Sequence, residues 1–177
     1  ITIGGESSAG IAVIEEAQNG SDRDAPGKLI RAYTDKVVNS GTINVNGSYS
    51  SGMLLKIDAP DNIVNEAGGI NVNGHHNIGM RVDKGSVATD ATGDPSAVNK
   101  NNIVVKGTAN IGMVSNGASK AQNTGGTITL TGTTGNSAGM YATGGGTVEN
   151  TGTIAGSGLE KTTGISVDTG STGTSSG

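Results

Sequence analysis

The stretch NSGTINVNGSYSSGM (residues 39–53) carries three signals at fixed distances. They are an Asn at 39, an alternating Ile-x-Val-x-Gly at 43–47, and a Gly-Met at 52–53. The middle phrase sets apolar against polar residues with period two, the pattern of a half-buried strand. It stands again at Ile1–Gly5, Ile70–Gly74, Ile103–Gly107 and Ile128–Gly132, with a weaker copy at Ile154–Gly158. After each copy comes a Gly followed by Met or Ile, at 10–11, 52–53, 79–80, 112–113, 139–140 and 164–165. From the last Gly of the first phrase to the Gly of the second is five residues in four copies, then seven and six. An Asn at 39, 65, 99, 123 and 150 precedes the next Ile by four or five residues. Chance in a low-complexity chain would not hold that spacing.

Successive second-phrase glycines are 42, 27, 33, 27 and 25 residues apart, so the base period is about 26 with two insertions. Three short strands per period, repeated, predict an all-β chain: a parallel β-helix, or β-solenoid, of about six coils. A single coil cannot bury its inner face, and stacked coils bury one another's. The predicted inward set is the Ile and Val or Leu of the first phrase, together with three alternate residues centred on the Met or Ile of the second. Met53, Met80, Met113 and Met140 are thereby core residues stacked coil on coil. Asn39, Asn65, Asn99, Asn123 and Asn150 are expected at one corner, where Asn tolerates a left-handed backbone and stacked amides can bond along the axis.

Composition agrees and excludes alternatives. The 177 residues suit one domain, but only 32 % are apolar and 2 % aromatic, with no Phe or Trp. An ordinary globular core is therefore excluded. The 32 glycines follow no G-X-Y period, which excludes collagen. Net charge is −4 without a basic run, so nucleic acid is not an expected partner. The absence of Cys excludes disulfides and thiol chemistry. No run approaches the ~20 apolar residues of a membrane helix. The chain begins at Ile1 without a signal-like segment and reads as a piece of something longer. Residues 1–168 are expected to form the repeat domain, and the Gly/Ser/Thr-rich 169–177 a disordered end or truncated coil.

The insertions share one place, between the second phrase and the Asn. The last inward residue of the second phrase lies eight residues before the Asn in the fourth and fifth copies, and 26, ten and seventeen before it in the first three. Pro26, Pro60 and Pro95 all lie in these longer connections, and 15–36 holds nine of the 26 charged residues. Binding residues concentrate on loops held by a rigid scaffold. The candidates are Asp22, Arg23, Asp24, Lys28, Arg31 and Tyr33 in the first insertion, with Lys84, Asp90 and Asp94 in the 84–98 stretch. Other patterns carry less. Asp22–Gly27 opens like a calcium loop, but Arg23 interrupts it and Tyr33 stands at the twelfth position. His75-His76 reads as an exposed turn rather than a metal site. Thr127, Thr129, Thr131 and Thr133 read as an ordinary polar outer row. Lys56, Arg81 and Lys106 lie on strand faces with no carboxylate set opposite, so neither catalysis nor a cofactor is expected.

The repeats, above all VENTGTI (148–154), NTGGTITLTG (123–132), NSGTINVNG (39–47) and the Gly-Met phrases, resemble passenger-domain repeats of type V autotransporters. These are outer-membrane adhesins of Gram-negative bacteria. The resemblance spans Ile1 to about Asp168 and is specific to architecture. It implies a right-handed helix, display on the cell surface or secretion, and membrane attachment only through a barrel outside this chain. The expected role is adhesion to a host protein or glycan, or to another bacterium, by a monomeric stalk with binding loops along one edge. A carbohydrate-active β-helix enzyme and a pure spacer are the alternatives. Trimeric adhesin heads share the flavour of ITIGGESSAGIAV (1–13), but their rolls repeat at roughly half this period.

Overall fold

A computed structural model describes residues 1–14, 36–56, 62–83, 96–157 and 160–176. In chain order, the first coil comprises β1 (Thr2–Ile3), β2 (Ala9–Ile14) and β3 (Lys36–Asn39). The second has β4 (Ile43–Val45), β5 (Ser51–Lys56) and β6 (Asn62–Asn65), and the third β7 (Ile70–Val72), β8 (Ile78–Asp83) and β9 (Ala97–Asn99). The fourth has β10 (Asn102–Thr108), β11 (Ile111–Asn116) and β12 (Lys120–Asn123), and the fifth β13 (Thr127–Thr134), β14 (Ser137–Thr143) and β15 (Thr147–Asn150). The last has β16 (Thr153–Ser157), β17 (Thr162–Val167) and β18 (Thr172–Ser175). Each coil gives one strand to each of three six-stranded parallel sheets. The first-phrase strands form the first sheet, the Gly-Met strands the second, and the Asn strands the third. The expected β-solenoid is therefore the fold. Residues 169–177 depart from expectation, because β18 pairs with β15 and supplies the third strand of the last coil.

The sealed interior belongs to four coils rather than six. Ile43, Val45, Met53, Leu55 and Ile63 are fully buried in the second coil, as are Ile128, Met140, Ala142 and Val148 in the fifth. In the end coils Ile11, Val13, Val37, Ile154 and Ile165 are only partly buried. Met113 pairs with both Met80 and Met140, so the methionines stack as predicted. Each such burial contributes about 1.5–3 kcal/mol, and no large aromatic is needed in a tube this narrow.

The Asn row forms a continuous ladder. Asn39 Nδ2 donates to Asn65 Oδ1 at 2.9 Å, Asn65 to Asn99 at 2.8 Å, Asn99 to Asn123 at 2.7 Å and Asn123 to Asn150 at 2.7 Å. Asn150 then donates to Ser175 Oγ at 3.1 Å. The expected left-handed backbone is absent from this row, because aligned amides need extended strands beneath them. The non-glycine left-handed residues sit instead at the corner between the first and second sheets. They are Ser7, Tyr49, His76, Ala109, Asn136 and Lys161, with φ between 50° and 58°.

Three further expectations are corrected. In the second phrase the residue before the Gly is core only in part: Ser51 and Ala138 are buried, but Ile78 and Ile111 are half-buried and lie outside the central cluster. A side chain at Gly79 would lie 2.5 Å from the Gly112 carbonyl oxygen and 3.0 Å from Ile103 Cγ2. The glycine thus takes an inner place with no room for a side chain, and the residue before it turns outward. Val114, expected outside, is 5 % exposed, flanked in register by the longer Arg81 and Tyr141. Thr133, expected in an outer row, is fully buried, and its hydroxyl lies 2.9 Å from that of Thr162.

Candidate functional site

The sequence-predicted binding residues Asp22, Arg23, Asp24, Lys28, Arg31, Tyr33, Lys84, Asp90 and Asp94 lie outside the described residues. What is described is the frame that holds their segments. Ile14 pairs with Lys56 at the ends of β2 and β5, and Lys36 with Asn62 at the starts of β3 and β6. Segments 15–35, 57–61 and 84–95 therefore all join the second sheet to the third, at equivalent places in three consecutive coils. Coils about 4.8 Å apart put the first and third of these attachment points about 10 Å apart along the axis.

A second region, unforeseen from sequence, is the outer face of the second sheet. Its position starts with the left-handed corner. In the second to fifth coils the residue immediately after the left-handed one has a small polar side chain whose oxygen takes a backbone N–H from the preceding coil. Ser50 Oγ accepts from Ser8 N at 3.1 Å, Asn77 Oδ1 from Ser50 N at 2.8 Å, Asn110 Oδ1 from Asn77 N at 2.7 Å, and Ser137 Oγ from Asn110 N at 3.2 Å. These are buried groups satisfied along the axis, and they fix where the corner residues project. The signal was present as Ser or Asn two residues before every second-phrase Gly from the first to the fifth copy. On the outside of this corner Tyr49 and His76 stack with ring centroids 4.8 Å apart and planes 9° apart. His75, its neighbour, bridges the backbones of Ser48 and Thr108.

Over the fourth to sixth coils this face forms an open groove of about 360 Å³, lined among others by Ile111, Asn136, Tyr141, Lys161, Ser166 and Asp168. Tyr141 donates its phenolic hydrogen to Asp168 Oδ2 at 2.6 Å, and Thr143 Oγ1 donates to the same oxygen at 2.8 Å. The Tyr141 bond, then the Thr143 bond, holds the Asp168 carboxyl below its ordinary range. The same bond raises the Tyr141 phenol, which must keep its proton to donate. Farther along the face Arg81 Nε lies 2.8 Å from Asp83 Oδ2, so Arg81, expected to lack a facing carboxylate, has one. Asn116 Nδ2 donates to Asp83 Oδ1 at 3.1 Å. On the third sheet Lys120 Nζ lies 2.7 Å from Glu149 Oε2 and lowers the Glu149 carboxyl, helped by Gln122. Among the described residues no three His, Asp or Glu side chains converge on a metal-sized site.

The chain is thus a parallel β-solenoid with a groove lined by polar and apolar side chains on one sheet and longer connections at one corner. No known family model matches it, and no curated protein or solved structure matches it either.

Proposed function

We propose that this chain is part of a surface-displayed adhesin of a Gram-negative bacterium, a stiff β-helical stalk with binding residues on its inserted segments. It acts by binding rather than by catalysis, and reaches the membrane only through a barrel elsewhere in the parent protein. One observation supports this above the others. The long connections occupy a single corner in three adjacent coils, while the ladders and core beneath them continue without a break. A scaffold that keeps its register across a 21-residue connection (15–35), where other coils use three residues, can present variable chemistry without altering its fold.

The test compares the chain with a variant lacking residues 17–35 for binding to host-cell surfaces, to arrayed host proteins and glycans, and to other bacteria. The expected result is loss of binding on deletion, with β-rich circular dichroism and melting unchanged. Arg31→Ser with Tyr33→Ser serves as a milder variant should the deletion disturb folding. Full binding after deletion, or no binding by the intact chain to any of these surfaces, would overturn the proposal. The second outcome would leave a spacer.

A further inference from the structure

We infer that the outer groove of the second sheet, over the fourth to sixth coils, is a binding site for a neutral oligosaccharide lying along the solenoid axis. Its volume of about 360 Å³ falls within the ~300–1,000 Å³ of small-ligand clefts. The lining includes the Ile111 side chain and the Tyr141 ring, apolar surfaces suited to the C–H faces of a pyranose. It also includes hydrogen-bonding groups, Asn136 and Lys161 at the corner, Ser166 in register with Tyr141, and Asp168 just beyond the end of the last coil's strand in this sheet. Tyr141 and Thr143 both bond to Asp168 Oδ2, which leaves Oδ1 open to a sugar hydroxyl.

Backbone conformation sets the position of two of the lining side chains. Asn136 and Lys161 hold φ of 58° and 50°, where a side chain costs about 1 kcal/mol or more and Gly costs nothing. A chain with 32 glycines places none of them at this position in any of the six coils. The same conformation recurs at Ser7, Tyr49, His76 and Ala109, which do not line the groove, so it belongs to the corner as a whole and serves here to fix where Asn136 and Lys161 project.

Charge selects the class of sugar. Among the described residues the groove is lined by one ammonium, Lys161, which makes no ion pair with any of them, and one carboxylate, Asp168. Farther along, Arg81 and Asp83 neutralise each other. No net field is left to favour an acidic glycan over a neutral one. Coils advance about 4.8 Å each, close to the advance of one pyranose ring in an extended glycan, so successive rings meet equivalent rows. An open groove of this kind implies affinity in the millimolar to micromolar range.

This site is separate from the inserted segments, so it and loop-borne adhesion can fail independently. The test titrates the whole chain with neutral pentasaccharides (glucan, mannan, galactan and chitin types) and with a galacturonic-acid pentamer, each to about 10 mM, followed by calorimetry or NMR. A neutral pentamer should bind and the acidic one should bind no tighter. Asp168→Asn, which preserves shape, and Tyr141→Ala should each weaken binding about tenfold, with Tyr141→Phe losing less. Circular dichroism should show all three folded, and removal of 17–35 should change nothing. No neutral pentamer binding, tighter acidic binding, insensitivity to Asp168→Asn, or loss on deleting 17–35 would each overturn the assignment.

Discussion

In the fourth and fifth coils the chain passes from the second sheet to the third within Gly117–Ser119 and Gly144–Gly146; in the first three the same passage takes 15–35, 57–61 and 84–95. The tight version is closed by specific bonds. Gly117 N donates to Thr143 O, Ser119 N to Gly117 O, and Gly146 N to Thr143 O. Buried Ser115 sits at a core position filled by Val82 in the third coil and Ala142 in the fifth, and its Oγ bonds to Ser119 O at 2.8 Å. The outer row of the third sheet changes at the same boundary. It reads Val38, Val64, Val98 in the coils with long connections and Gln122, Glu149, Thr174 in those with tight ones. The methionine and Asn rows run across that boundary unbroken. The lesson is that a solenoid separates what holds register, the methionine and Asn rows, from what may vary, one corner and the surface beside it.

The strongest test of that separation is to charge the core on both sides of the boundary. Met80→Asp and Met113→Asp should each cost about 4 kcal/mol or more and unfold several coils, equally in thermal or urea melts. If the half with long connections tolerated its substitution, the shared interior would be disproved. Next, Gly146→Ala should cost about 2–3 kcal/mol, because the new Cβ would lie 2.3 Å from the Ser115 carbonyl oxygen. That loss, set against an unchanged melt after removing 17–35, measures how different the two corners are. Ser115→Ala should cost about 1–2 kcal/mol by leaving Ser119 short of a buried partner. A silent result would mean that the glycines alone close the corner.

Smaller effects belong to the outer faces. Arg81→Asp breaks a half-buried surface pair with Asp83 and should cost about 1 kcal/mol, against the severe Met80→Asp one residue away. The pH dependence should be the slightest. Asp168 and Glu149 have depressed carboxyls in the fold, so their small contribution is present above the ordinary carboxylate range and fades as pH falls through their folded values. Tyr141, raised, loses its contribution only as pH climbs above the ordinary phenol range. A melting temperature that is flat near neutrality and declines in acid would agree. A rise in acid would contradict the bonds to Asp168.

The period, the three strands and the stacked methionines were legible because each depends on spacing within one repeat. So was the Asn ladder, although its backbone was misassigned: amide stacking demands extended strands, and the left-handed residue lies at another corner. That corner row of Ser7, Tyr49, His76, Ala109, Asn136 and Lys161 has no common chemistry to betray it. The second polar row, Ser8, Ser50, Asn77, Asn110 and Ser137, was legible in principle but passes for turn composition. The groove was not legible at all. Tyr141 and Asp168 are 27 residues apart and meet only because neighbouring coils stack in register, at positions where the repeat does not repeat.

The hydrogen bonds between coils, such as Asn44 N to Ile1 O and Asn46 N to Ile3 O, both 2.8 Å, run along the solenoid axis, and the first and last coils lie at opposite ends of the stack. A pull on the two ends therefore loads one coil interface at a time and peels the protein like thread from a spool. Each released coil of 27 residues would lengthen the molecule by about 90 Å, and the 42-residue interval that includes 15–35 by about 140 Å. Under shear the protein would yield in steps whose lengths repeat the order of its insertions, shedding load while the remaining coils stay wound.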